Sequence, residues 1–255
     1  MTPERVLAAI DGTWPPARIF DDGPWTLRDG QGGGQRVSAA TLRDGTRRPV
    51  REVPSRRPFT ADELATAETA MQAMGQPPLF MIRPGEEDLD AQLDARGYVV
   101  HDPVRAWVCP PAQLCDKPLP RITVFDIWEP LAIMREIWAE GGIGPGRIAV
   151  MERAKGPKTA LFGRLNQRPA GVAYVAIHDG VAMLHALEIV PEQRRQGLAD
   201  WMMRGAAFWA RDHGADTLAV LCTRANTAAN SLYASLSMTP VTDYHYRRKP
   251  EGAPS

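Results

Sequence analysis

Two hydrophobic rhythms alternate along this chain, one of helical period and one of strand period. Apolar residues at helical spacing over 2–10, with Pro3 in the first turn, predict a short helix. Two strands, 25–28 and 36–42, flank the run Asp29-Gly-Gln-Gly-Gly-Gly34 and predict a hairpin with a loose loop. Thr60-Ala-Asp-Glu63 is a capping box, and Leu64, Ala67, Met71 and Met74 continue it as a helix that Gly75 and Pro77 stop. A short strand over 79–82, a helix over 88–96 closed by Gly97, and strands over 98–100 and 104–108 follow. Residues 110–120 hold four prolines and read as a linker.

Beyond that linker the pattern is more regular. Residues 129–141 predict a helix with Pro130 at its start. The segments 149–153, 159–165 and 170–178 read as strands, and Asp179-Gly180 is a tight turn. A long strand over 181–190 ends at Pro191. It leads to an amphipathic helix over 196–213, a buried strand over 217–222, a helix over 227–236 and a last strand over 242–248. This order predicts an α/β fold with a mixed, mostly antiparallel central sheet flanked by helices and one parallel crossover. The linker divides the chain into domains 1–118 and 119–255.

Composition narrows the function classes. The 255 residues carry 30 Lys+Arg and 30 Asp+Glu, so no net field draws the chain to nucleic acid or to a membrane surface. No window approaches the ~18 apolar residues of a membrane span, and the N-terminus lacks a signal-peptide pattern, so the cytoplasm is the expected compartment. Three dispersed cysteines do not make a disulfide framework. No CxxC pair exists and the five His are scattered, so no metal site is expected. Cys222, inside the apolar run 217–222, reads as a small buried hydrophobe. Residues 43–58 hold six Arg and three Pro and read as a solvated loop, or else as an anion-contacting arm.

The chemistry is carried by residues 190–199, Val-Pro-Glu-Gln-Arg-Arg-Gln-Gly-Leu-Ala, which leave a strand and enter a helix. A helix start offers unpaired N–H groups and the positive end of the dipole. Gly197 and the small Ala199 allow close backbone approach, and Arg194 and Arg195 add positive charge. Such a turn suits a pyrophosphate, although an ordinary strand-to-helix turn can have the same composition.

Arg194-x-x-Gly197-x-Ala199 resembles the R/Q-x-x-G-x-G/A signature of the GNAT superfamily of N-acetyltransferases. Asn226-x-x-Ala229-x-x-Leu232-Tyr233 is similar to that family's second signature, N-x-x-A-x-x-L-Y-x-x-x-G-F, at the usual separation. Ser237 and Met238 depart from it, standing where Gly and Phe are usual. The resemblance covers roughly residues 120–250. In the first half, Leu93-Asp-Ala-Arg-Gly97-Tyr98 resembles only the end of the second signature and no cofactor loop precedes it. The resemblance therefore implies a tandem arrangement with a degenerate GNAT-like N-terminal half.

It also implies acetyl-CoA as co-substrate and the primary amine of a small molecule or peptide as acceptor, in a monomer or homodimer. Leu187, Glu188 and Ile189 would pair with the pantetheine arm. The loop amides of Arg195, Gln196, Gly197, Leu198, Ala199 and Asp200 would hold the pyrophosphate, with Arg194 beside them. Tyr233 is the implied general acid, against a plain packing role on an amphipathic helix. A protonated alkylamine, with a pKa of about 10.4, needs a base. His185 suits that task by its pKa and by the Leu-His-Ala-Leu context of some arylalkylamine acetyltransferases, although a His in an apolar strand also serves as a core residue. Glu188 is the other candidate base, and strand parity aims it to the opposite face unless a bulge re-aims it. Asn226 orders its loop or touches the cofactor. A GNAT-like domain that binds acyl-CoA as a sensor or partner module, without turnover, is the alternative class.

Overall fold

The computed structural model describes residues 2–43 and 59–250. The described chain forms two compact units. The larger is drawn from Met1–Pro15 and Val104–Thr242, the smaller from Pro16–Pro103 and Asp243–Ser255. The contacts therefore do not divide the chain at residue 118. The N-terminal helix and residues 104–109, the second half of the strand preceding the proline-rich segment, go with the larger unit, and the end of the last strand goes with the smaller.

The larger unit begins with α1 (Pro3–Thr13), which buries Val6, Ala9, Ile10 and Thr13 along one stripe. Arg5 fastens it: its guanidinium donates to the Asp179 carbonyl at 2.6 Å and to Asp216 Oδ2 at 2.8 Å. The sheet uses residues 104–109 of β5 (Val99–Cys109), then β6 (Val124–Ile127), β7 (Lys158–Leu165), β8 (Arg168–His178), β9 (Val181–Ile189) and β10 (Thr217–Thr223). Within the unit β6, β7, β8 and β9 are antiparallel neighbours in sequence order. β10 lies parallel to β9 and antiparallel to β5, which is the expected single parallel crossover. Helix α7 (Leu198–Asp212) covers one face and buries Leu198, Met202, Met203, Ala206, Ala207 and Ala210. The other face takes α1, α5 (Ala132–Glu140) and α6 (Pro145–Arg153), with the Tyr174 hydroxyl donating to the Met151 carbonyl at 3.0 Å. Helix α8 (Thr227–Ser235) leads into β11 (Thr239–Arg248).

Several local expectations change. Residues 149–153 are helical, because Gly144-Pro145 starts a turn and Ile148 and Met151, three apart, share its buried side. The proline-rich segment is not a simple linker. Pro111 starts the short helix α4 (Pro111–Leu114), Leu114 is buried in the main core, and its carbonyl accepts from the Arg204 guanidinium at 3.2 Å. β6, absent from the sequence reading, is a four-residue strand too short to announce itself by alternation.

The smaller unit holds a three-stranded meander: β1 (Arg18–Asp22), β2 (Trp25–Asp29) and β3 (Thr41–Leu42). The expected hairpin between 25–28 and 36–42 forms only at its far end, where Trp25 pairs with Leu42 and Thr26 with Thr41; residues 35–37 are a single 3-10 turn, and β1, unforeseen, is the longer mate of β2. Next come α2 (Ala61–Ala73), β4 (Leu79–Ile82) and α3 (Glu87–Asp94). β4 pairs antiparallel with the Arg248–His245 end of β11. Trp25, Leu27, Phe80, Met71, Leu93 and Tyr98 form its core. The expected strands 98–100 and 104–108 are one strand, β5, with Asp102 at a positive φ of 40° inside it. Apart from Arg43, the Arg-rich segment 43–58 lies outside the described residues. No helix among the described residues is long and apolar enough to cross a membrane.

Candidate active site

The parallel pairing of β9 with β10 runs from Val181–Thr217 to Leu184–Val220 and stops. Beyond that point β10 stays with β5 as far as Thr223–Val104, while β9 stays with β8 as far as Ile189–Gly171. The two central strands therefore part, leaving one edge of β9 open. The Val190 N–H donates to the Ala170 carbonyl at 2.9 Å. By the alternation of an antiparallel ladder, the Glu188 polar groups face β8 and those of Ile189 face the opened side.

A bulge interrupts β9 on the way. His185 lies opposite Tyr174 and Glu188 opposite Val172, so three steps along β9 match two along β8. Ala186 takes a φ of +52° there, and the Trp138 indole of α5 donates to its carbonyl at 2.8 Å. The extra residue overrides parity. Val172 and Tyr174 are two apart on one strand, so His185 and Glu188 share the face that α1 and α5 cover. Leu187 and Ile189 pack instead against the α7 core.

The two candidate bases differ in access. His185 is 3% exposed, with Nε2 3.0 Å from the Thr13 hydroxyl of α1 and the Trp14 ring 4.9 Å away. Glu188 keeps 22% of its side chain exposed, against Gly141 at the end of α5. The Arg194 guanidinium donates to Glu188 Oε1 at 2.8 Å.

After β9 the loop makes a 3-10 turn over Pro191–Gln193, and Asn166 Nδ2 donates to the Gln193 and Gln196 side-chain oxygens at 3.3 and 3.2 Å. Arg195 and Gly197 take φ values of +62° and +83°, and Gly197 stands as the N-cap of α7 with no side-chain cap. The Leu198, Ala199 and Asp200 N–H groups are thus left without a partner among the described residues. A Cβ at Gly197 would meet nothing within 4 Å, so the glycine answers to its left-handed backbone here. Asp200 turns aside to accept from Arg204 Nε at 2.9 Å.

On the far side of the opening, Asn226 is the N-cap of α8, accepting from the Ala229 N–H at 3.0 Å. Asn230, which the sequence reading missed, fixes the same helix. Its amide donates to the Thr223 and Asn226 carbonyls at 3.0 and 2.7 Å and accepts from the Trp107 indole at 3.0 Å. Its only signal was a polar side chain inside an amphipathic helix. Tyr233 is 5% exposed, 6.4 Å from the Trp107 ring. Burial, aided by nearby Cys222, pushes its phenol well above the ordinary range. Ser237 accepts the left-handed turn usually given to Gly, at φ +57°, and Met238 is buried where Phe is usual.

Residues 128–238 match the model of the acetyltransferase (GNAT) family. These residues form a GNAT acetyltransferase domain. A Bacillus subtilis (strain 168) protein described as "uncharacterized N-acetyltransferase YobR" is 31% identical over 75 residues, which span 29% of this chain and only 30% of that protein. Among solved structures, a GCN5-related N-acetyltransferase from Kribbella flavida is 19% identical and superposes with a TM-score of 0.68, covering 99% of this chain and 97% of its own. A tandem GNAT protein from the clavulanic acid biosynthesis pathway is 14% identical with a TM-score of 0.62, covering 98% of this chain and 88% of its own. Both likenesses concern the fold, and they extend beyond the GNAT domain to nearly the whole chain.

Proposed function

We propose that the GNAT domain transfers an acetyl group from acetyl-CoA to a primary amine, carried by a small molecule or peptide, by direct attack. The observation that carries this reading is the opened edge of β9, which ends at a helix start with free N–H groups. The residues present fit the co-substrate. Leu187 and Ile189 would pair with its amide arm, and the Leu198, Ala199 and Asp200 N–H groups, beside Arg195, would take its pyrophosphate. Bound acetyl-CoA supplies an acetyl group activated as a thioester.

The chain's own task is then to move two protons. In this reading Glu188 takes one from the ammonium form of the amine at a carboxylate oxygen, because it is reachable and His185 is sealed under α1. His185 stands behind it on the same face as a relay rather than as the base. Tyr233 holds the other proton, for a leaving thiolate. Its raised pKa keeps the hydroxyl neutral and able to donate.

The test is thiol release from acetyl-CoA over a panel of primary amines. Tyr233→Phe should lower kcat by about 10² to 10⁴ while acetyl-CoA affinity stays close to the parent's. Glu188→Gln should lower kcat more than His185→Gln. Unchanged kcat in Tyr233→Phe rejects the acid role. Tight acetyl-CoA binding with no turnover on any amine would favour a sensor or partner module instead.

A further inference from the structure

Arg194 is expected to lend its charge to a bound phosphate, yet its side chain turns the other way. Its Nε donates to the Ile189 carbonyl at 2.9 Å, and an Nη donates to Glu188 Oε1 at 2.8 Å. The 3-10 turn makes this possible. The Gln193 N–H donates to the Val190 carbonyl at 2.9 Å and the Arg194 N–H to the Pro191 carbonyl at 3.2 Å, which brings the chain back beside the strand it has left. Arg194 itself is extended, at φ −68° and ψ 160°. Its planar fork thus spans a backbone acceptor on the opened edge of β9 and the carboxylate next to it.

Glu188 is held from a second side. A Cβ at Gly141 would come within 2.7 Å of the Glu188 side chain, so the carboxylate sits between the end of α5 and the Arg194 guanidinium. Arg195, by contrast, has no ion pair among the described residues and stands next to the uncapped helix start.

We propose that Arg194 is a positioning residue, a clasp that sets the loop against β9 and orients the Glu188 carboxylate, and is not a ligand of the phosphate. This rests on reading the loop as the acetyl-CoA site. A phosphate ligand needs positive charge. A clasp needs a planar donor able to reach the Ile189 carbonyl, which a glutamine amide also offers and a single ammonium at the end of a flexible stem does not.

The test measures affinity of the full-length protein for acetyl-CoA by calorimetry, and for S-acetylpantetheine, which lacks every phosphate, by competition. Arg194→Ala should weaken both by the same factor, about tenfold, as expected for losing a hydrogen bond to a charged group. Arg194→Gln should stay nearer the parent than Arg194→Lys. Arg194 is half exposed, so these variants should keep the parent's thermal midpoint. A loss confined to acetyl-CoA, or full retention by Lys with loss by Gln, overturns the clasp. If the parent protein binds no acetyl-CoA, the cofactor reading itself fails, and that outcome is distinct from either.

Discussion

Helices α2 and α7 occupy the same place in the same order of elements. Each follows antiparallel strands that neighbour one another in sequence order, three before α2 and four before α7, and precedes a strand, a second helix and a last strand. Their N-termini are built in opposite ways. Thr60 Oγ1 accepts from the Glu63 N–H at 3.2 Å and Glu63 Oε2 accepts from the Thr60 N–H at 2.8 Å, with Asp62 adding a second acid to the first turn. A reciprocal capping box and first-turn acids together satisfy that helix start. Helix α7 has a glycine at the cap and leaves its first N–H groups open. The difference in packing explains why it can. Helix α7 buries nine residues, whereas α2 buries three, so α2 leans on its cap while α7 is held by its buried face. An open helix start is thus available where tertiary packing is strong, and it is the one suited to an anion.

The contrast between the two helix starts is largest at Gly197. Gly197→Asp places a carboxylate at the open start and forces a non-glycine residue to φ +83°. Acetyl-CoA affinity, read by calorimetry, should fall about a hundredfold or more. Binding equal to the parent's would show that the loop is not the phosphate site. Thr60→Ala, at the matching position of α2, should leave acetyl-CoA binding at one site per chain and cost about 1 kcal/mol in denaturant unfolding. A change in acetyl-CoA stoichiometry in that variant would end the contrast between the two helices.

The second helices of the two units sharpen the same point. The Tyr98 N–H donates to the Leu93 carbonyl and the Met238 N–H to the Tyr233 carbonyl, both at 3.1 Å, so the two turns close alike. One has Gly97 at φ +81°, the other Ser237 at φ +57°. Ser237→Gly should raise stability by up to about 1 kcal/mol, and Gly97→Ser should lower it by a similar amount. Opposite signs in the unfolding midpoints would reject this account.

The smallest effect is acid sensitivity. In the smaller unit Arg247, with His245, holds Asp90 below the ordinary carboxylate range; in the larger unit Arg5 does the same for Asp216, helped by Thr217. A carboxylate depressed by folding stabilises above its unfolded pKa, and that contribution is lost as pH falls through the folded value. Stability should therefore decline between about pH 5 and pH 2, less steeply in Asp90→Asn. An identical acid profile in that variant would count against it.

Much of this site was legible in the sequence, because its signals are local. Thr60 and Glu63 cap each other across three residues. Gly197 is required by a single backbone angle. The parallel crossover followed from the order of strand, long helix and strand. What escaped depends on residues far apart in the chain. Ala186 accepts a positive φ because Trp138, 48 positions upstream, satisfies its carbonyl, and that bulge puts Glu188 on the face of His185. His185 is sealed by Thr13, 172 positions away. Residues 104–109 join the larger unit, and residues 245–248 leave it, because their partners β10 and β4 lie more than a hundred residues distant. Periodicity and caps fix what a segment becomes. Only the contacts made on folding decide which neighbour satisfies its polar groups, and so where its side chains point.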